Sequence, residues 1–429
     1  MPRPLLLILL AAVCCAAAAL AATDARVFIN TAGAPTSPVA AQGVYAAGWL
    51  VTSTQYGVLA DGSLVPGGAG PQMEQALRNL EAIFAAAGLT IARHATSCWL
   101  FFVDVDTNFN AASDVYKTHF PHLPHPTRTP IGGAFAAPAP GAVVGVRCDG
   151  ALEPSRRVAP PNFFPTDFNS QGMVVKSALL HTAGQVGADP MSGEMVAGGA
   201  AAEATQAMQN LQTVFAAAYP ALGSGALDRL AVDCQVMVAQ PASNLPLVQA
   251  AVAKFFSSPF PLSLLGGLDP GFGANVEITC TGGDARMQRV AVEVEGERLG
   301  MALVSEEEVH VFIAPKVFTD SSSVRDQTYL AFEAVVDAMR LALPSNTTFW
   351  DAAMHCTLFV AAPADAEAAM AAYGEMWWFK PKPAFSLVTG TRLPLGAMVA
   401  VQCRGFQQVR RDSVLQKAQR ETPDHMEAD

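Results

Sequence analysis

The sequence predicts an α+β protein built from three tandem copies of one unit, and three repeated signals predict it. The first is a strand that ends in cysteine. Gly141-Ala142-Val143-Val144-Gly145-Val146-Arg147-Cys148, Gly273-Ala274-Asn275-Val276-Glu277-Ile278-Thr279-Cys280 and Gly396-Ala397-Met398-Val399-Ala400-Val401-Gln402-Cys403 all fit G-A-x-V-x-[VI]-x-C. The second is a strand led by cysteine, at Cys98-Trp99-Leu100-Phe101-Phe102, Cys234-Gln235-Val236-Met237-Val238 and Cys356-Thr357-Leu358-Phe359-Val360. The third is a helix written twice, once from Gln75-Ala76-Leu77-Arg78-Asn79-Leu80 and once from Gln206-Ala207-Met208-Gln209-Asn210-Leu211. Self-similarity of this kind fixes architecture before any single motif is weighed.

Within each unit the order is a strand hairpin, a helix, a strand, a shorter helix and two final strands. Asp61-Gly62 and Ser192-Gly193 are turn dipeptides for the hairpins, and the first helices start near Pro71, Ala200 and Ser323. In the third unit Phe332-Glu333-Ala334-Val335-Val336-Asp337-Ala338 keeps the helical apolar spacing although its residues have diverged most. Pro- and Gly-rich connectors run from Asp149 to Thr166 and from Thr281 to Arg289. The domains are therefore expected at 26–150, 165–282 and 290–405, followed by a polar tail over 406–429, frayed or forming a peripheral helix.

With 429 residues, 51% apolar and 15% charged, the chain can bury several cores. Its net charge of −11 and the absence of a dense Lys/Arg run exclude the basic footprint that nucleic acid requires. Residues 1–22 read as a secretory signal peptide: Arg3, an apolar run from Leu5, and Ala19-Leu20-Ala21 at the cleavage position. An uncleaved anchor and an organellar presequence are the competing readings, although a presequence would carry several arginines. No later stretch is long and apolar enough to span a bilayer, so the mature chain is expected in the secretory lumen or outside the cell, with no membrane contact.

Removing the signal also removes Cys14 and Cys15, leaving two cysteines per unit separated by 50, 46 and 47 residues. A recurrent pair in an exported chain argues for disulfides Cys98–Cys148, Cys234–Cys280 and Cys356–Cys403. Buried free thiols are the alternative. A metal site is not expected from these cysteines, which lack C-x-x-C spacing.

The chain resembles the RidA/YjgF family, the reactive enamine/imine deaminases also known as L-PSP endoribonucleases. Leu50-Val51-Thr52-Ser53-Thr54-Gln55 is similar to the family's strand ending T-S-G-Q. Val115-Tyr116 with Phe120 matches its V-Y-x-x-x-F helix, and Pro126 to Arg128 falls at its P-A-R-S. In the second unit Leu180-His181-Thr182-Ala183-Gly184-Gln185 and Met191-Ser192-Gly193-Glu194 match closely. The resemblance implies a chorismate-mutase-like fold, with sheets inside a trimer, helices outside and a ligand cleft at each boundary. Here one polypeptide would close that ring as an intramolecular pseudo-trimer, a monomer in solution. It also implies that the last strand lies beside the strand carrying the first cysteine, which supports the disulfide pairing.

The implied chemistry is hydrolysis of enamines and imines of the 2-aminoacrylate and 2-iminobutanoate type, with no cofactor. An arginine fixes the substrate carboxylate and a glutamate positions water or moves a proton. The arginine position is Arg128, Leu262 and Phe385 in the three units, and the glutamate position is Gly145, Glu277 and Ala400. No unit holds both. The cleft residues are Ser53-Thr54, Ala183-Gly184 and Ala314-Pro315, and the family's helix asparagine is replaced by Ser113, Gln249 and Met370. The tyrosine usual before the first strand aligns near Ala40.

The candidate site is therefore Arg128 and Glu277 with Ser53, Thr54, Ser113 and Gly184, serving at most one competent cleft for a small carboxylate. A catalytically degenerate binding or structural protein on the same scaffold is the alternative. Against these stand Arg128 as an ordinary surface arginine and Glu277 as a solvated or ion-paired strand residue. His119, His122 and His125 are spaced by three, but Pro121 and Pro124 break the helix that would align them, so a solvated loop is expected rather than a metal site. Asn346-Thr347-Thr348 is an N-glycosylation sequon in a predicted loop.

Overall fold

The structure is a computed structural model that describes residues 26–133, 141–163, 168–294, 296–378 and 380–409. The signal segment, and the tail beyond residue 409, lie outside the described residues.

The first unit runs β1 (Val27–Ile29), β2 (Gly43–Ala46), β3 (Trp49–Thr52), β4 (Gln55–Tyr56), α1 (Ala69–Ala86), α2 (Ile91–His94), β5 (Ala95–Phe102), α3 (Val105–His119), β6 (Thr127–Gly132) and β7 (Val144–Ala151). The second runs β8 (Ser155–Val158), β9 (Gly172–Val175), β10 (Leu179–Thr182), β11 (Gln185–Val186), α4 (Gly199–Ala218), α5 (Ala226–Leu230), β12 (Ala231–Val238), α6 (Pro241–Ala253), β13 (Leu262–Gly266) and β14 (Val276–Gly283). The third runs β15 (Gln288–Val294), β16 (Glu297–Val304), β17 (Glu308–Ile313), β18 (Lys316–Val317), α7 (Val324–Ala342), α8 (Phe349–Ala352), β19 (Ala353–Val360), α9 (Ala366–Met376), β20 (Ala384–Thr389) and β21 (Val399–Gln408).

Each unit forms a seven-stranded sheet of one topology: β1-β2-β3-β7-β5-β6 with β4 on β7, and the same order in the other two. The expected three-unit α+β architecture is what the chain adopts. Two strand pairs fix the site positions. β5 and β6 run parallel, with α3 as the crossover between them, so Cys98 lies opposite Arg128; the equivalent partners are Cys234 with Leu262 and Cys356 with Phe385. On the other side of β5, antiparallel β7 sets Phe101 opposite Gly145, as Met237 faces Glu277 and Phe359 faces Ala400. The same ladders set Cys98 opposite Cys148, Cys234 opposite Cys280 and Cys356 opposite Cys403, and all three pairs are disulfide-bonded. These bonds are compatible with an oxidising compartment. No helix among the described residues is long and apolar enough to cross a membrane.

Period-2 alternation divides each sheet between two cores. From β5, Cys98, Leu100 and Phe102 join the helix-side core of the first unit, with Leu77, Leu80 and Phe84 of α1. Trp99 and Phe101 point the other way, into a core shared by all three units, where Phe101 joins Met237, Leu265, Phe359 and Val388. A second shared core gathers Val44 and Trp49, Met173 and Val232, and Met301 and Phe312. The ring is closed by side chains that cap the neighbour's backbone. Arg26 donates to the carbonyls of Trp350 and Ala353, and Arg289 donates to those of Asp228 and Ala231.

Three segments differ from the expectation. The connector read over 149–166 contains the end of β7 and all of β8, an edge strand of the second sheet whose Arg156 and Arg157 mask its apolar signal; charged residues suit an exposed edge. The second connector shrinks to 284–287, because β14 runs to Gly283 and β15 starts at Gln288. At the C-terminus, β21 continues through residues 406–408, assigned above to the tail, and Phe406 is buried in a shared core. The strand hairpins turn at Ala47-Gly48 and Lys176-Ser177, where φ is positive at both residues. Asp61-Gly62 instead sits in a second turn, closed by the Val58–Leu64 bridge.

Candidate functional site

Arg128 lies in β6 at the boundary between the first and second units and is buried, 6% exposed. It is not a surface arginine. The backbone carbonyl of Arg128 accepts a hydrogen bond from the Gly184 N–H of the second unit at 3.2 Å, and that of Pro126 accepts one from the Ser170 N–H at 3.2 Å. Ser113 of α3 reaches the guanidinium from the same unit, accepting from Nη1 at 2.8 Å. Rings surround the rest of the group: the guanidinium carbon lies 5.0 Å from the centroid of Phe109, 5.6 Å from Tyr116 and 4.5 Å from Phe168. Burial lowers the pKa of Arg128, opposed by Tyr116 and Glu277.

Glu277, on β14 of the second unit, faces the same boundary and is 2% exposed. It is not solvated, and among the described residues its Oε2 has no hydrogen-bond partner. Burial holds its carboxyl well above the usual carboxylate range, and the Arg128 charge pulls it back. Gly184 is what gives this carboxylate room: a Cβ there would lie 1.7 Å from Glu277 Oε1. Four positions that the sequence scatters over two units, Arg128, Ser113, Gly184 and Glu277, thus converge on one boundary. A buried carboxyl that favours its protonated form beside a cation stacked on rings can both anchor an anion and pass a proton.

Ser53 and Thr54 lie elsewhere. They sit at the boundary between the third and first units, where the Thr54 N–H donates to the Phe385 carbonyl at 3.1 Å and Ser53 Oγ accepts from the Phe385 N–H at 2.7 Å. This repeats the contact between Gly184 and Arg128, so both boundaries share one register. At the boundary between the second and third units, Pro315 takes the position of Gly184 and Thr54, and it has no N–H to donate.

Phe109, Tyr116 and Phe168 were not anticipated as site residues. Phe109, Ser113 and Tyr116 recur at i, i+4 and i+7 on α3, a helical stripe that could have identified them. Phe168 comes from the neighbouring unit and left no such signal. The histidines differ from the expected solvated loop. His119 ends α3 between Glu81 at 2.8 Å and Glu74 at 3.0 Å, His125 is buried and His122 exposed. Among the described residues no group of three His, Cys, Asp or Glu is placed to hold a metal ion. Asn346 is exposed in the turn between α7 and α8.

Comparison with known proteins bears on this site. The profile of a family described as Endoribonuclease L-PSP matches residues 32–149 and 165–282, together more than half of the chain. A 2-iminobutanoate/2-iminopropanoate deaminase of Capra hircus is 39% identical over 101 residues, covering 22% of this chain and 69% of the relative. The protein of the same name from Bos taurus is 38% identical over the same length, with the same coverage. Among solved structures, the Rid-family protein YyfA of Yersinia pestis is 26% identical with a TM-score of 0.28, covering 30% of this chain and 100% of its own. The serine-bound TdcF of E. coli is 25% identical with a TM-score of 0.27, covering 30% and 99%.

Proposed function

We propose that this chain, which belongs to the Endoribonuclease L-PSP family, binds small imino and enamino carboxylates at the boundary between its first and second units and hydrolyses them to the 2-oxo acid and ammonia. The observation that carries this reading is the meeting of Arg128 and Glu277, contributed by different units, beside Ser113 and Gly184. The deaminase names of the two mammalian relatives agree with it.

In this mechanism Arg128, oriented by Ser113, binds the substrate carboxylate. Neutral Glu277 donates its proton to the imine nitrogen as water attacks the imine carbon, and the second proton of that water passes to the same nitrogen, giving a carbinolamine whose nitrogen is an ammonium leaving group. The resulting carboxylate then takes the hydroxyl proton as the carbon–nitrogen bond breaks, which releases ammonia and restores the acid. An enamine enters the same sequence once its β-carbon gains a proton and its nitrogen releases one.

Hydrolysis of 2-iminobutanoate and 2-aminoacrylate by the purified mature protein tests the reading. Arg128→Ala is expected to lower kcat/KM by about 10- to 100-fold through loss of the charged anchor. Glu277→Gln is expected to lower kcat by roughly 100-fold or more. A wild-type rate no greater than that of buffer would leave only the binding or structural alternative, and a rate indifferent to both substitutions would locate the chemistry elsewhere.

A further inference from the structure

At the boundary between the third and first units, the positions equivalent to Arg128 and Ser113 are Phe385 and Met370, and a cavity of about 340 Å³ opens beside them. Val39, Tyr56 and Leu387 complete its apolar wall. Among the described residues no charged side chain lines it. An ionised ligand would lose its hydration there without gaining a counter-charge, so the cavity selects against carboxylates. Its volume suits a molecule of roughly a dozen non-hydrogen atoms, at about 25–30 Å³ apiece.

Away from its exposed rim, the polar groups of the wall are spent, with one exception. Ser53 Oγ donates to the Ala41 carbonyl at 2.6 Å, and Thr54 Oγ1 pairs with Ser386 Oγ at 2.8 Å. Gln55, only 4% exposed, lines the cavity, and its Oε1 has no hydrogen-bond partner among the described residues. In the second unit the equivalent Gln185 donates to Gln171 at 2.9 Å. The first-unit counterpart of Gln171 is Gln42, which has turned away. Its Nε2 donates to the carbonyls of Thr31, Ala34 and Pro35 at 3.0, 2.8 and 3.1 Å, pinning the segment that forms one side of the cavity. That rearrangement shapes the space, and Gln55 Oε1 beside it stands without a donor among the described residues.

We propose that this boundary binds a small, uncharged, predominantly apolar molecule carrying one hydroxyl, which donates to Gln55 Oε1. The site is separate from the Arg128 boundary and does not depend on chemistry there.

The test uses the neutral fluorophore 1-naphthylamine with the mature protein, displaced by decan-1-ol or decanoate. Decan-1-ol is expected to displace the dye at least about tenfold more effectively than decanoate. Met370→Trp, which fills the cavity, and Ser37→Trp, at its exposed rim, are each expected to weaken dye binding by about tenfold or more. Gln55→Met should weaken decan-1-ol about fivefold. Absence of dye binding to the wild-type protein, equal competition by decanoate, or dye binding unchanged in Ser37→Trp would each overturn the proposal. Ser37 is exposed, so its replacement tests the site without burdening the core.

Discussion

Two residue pairs explain how the boundaries diverged. In the second unit glycine at 184 leaves the space that the Glu277 side chain occupies. In the first unit the pair is exchanged: Thr54 stands at the glycine position and Gly145 at the glutamate position, where a Cβ would lie 3.1 Å from Thr54 Cγ2 and 2.8 Å from Tyr56. Bulk on one strand excludes bulk on its neighbour, so a glutamate is accommodated only where glycine faces it. The buried carboxyl also links stability to pH. Below its ordinary value of 4.5, Glu277 is protonated in both folded and unfolded chains. As pH rises above that, the unfolded chain releases the proton first, so stability is lost progressively until the folded carboxyl ionises too. The urea midpoint of the wild type should therefore fall with rising pH relative to Glu277→Gln; parallel profiles would show that the carboxyl is not held protonated.

At the level of elements, the repeated strands were legible because an apolar run bearing a cysteine at a fixed place survives divergence, and the register later found for Arg128, Leu262 and Phe385 agrees with the sequence alignment. The edge strand β8 was not legible, because an edge needs no continuous apolar face and carries two arginines. The hairpin turn at Lys176-Ser177 was missed because it adopts positive φ without a glycine. Each disulfide joins strands already paired in a ladder, so its loss should weaken a unit without dissolving its sheet. Replacing Cys234 and Cys280 together by alanine removes a cross-link over 46 residues and is expected to cost about 2–4 kcal/mol. Urea denaturation with intact-mass control of the remaining bonds measures this, and an unchanged midpoint would mean the cross-link is energetically idle.

Across the whole molecule, one chain permits what a homotrimer cannot: different residues at equivalent positions around the axis. Arg147, Thr279 and Gln402 occupy one such level, and Asp149, Thr281 and Arg404 the next. Arg404 Nη2 lies 2.7 Å from both carboxylate oxygens of Asp149, and Arg147 donates to His355 Nε2 at 3.0 Å. Burial opposes ionisation of Asp149, but Arg404 and Arg147 outweigh it and hold its pKa below the ordinary value. Three identical copies would bring like charges together here. Asp149→Asn should cost about 3–5 kcal/mol, since it leaves the buried Arg147 and the half-buried Arg404 beside a neutral amide. Chemical denaturation reads the loss, and a variant as stable as the wild type would show that the pair contributes nothing net.

The sequence alone determined the threefold repetition and the cysteine pairing, because both are carried by local spacing and by ladders inside one sheet, while the position of each arginine and glutamate equivalent within its unit followed from the family resemblance. It left undecided which unit faces which. Arg128 is opposed by Glu277, and Phe385 by Thr54, only through the sense in which the ring closes. That sense is set by packing between surfaces more than a hundred residues apart, where spacing along the chain carries no information.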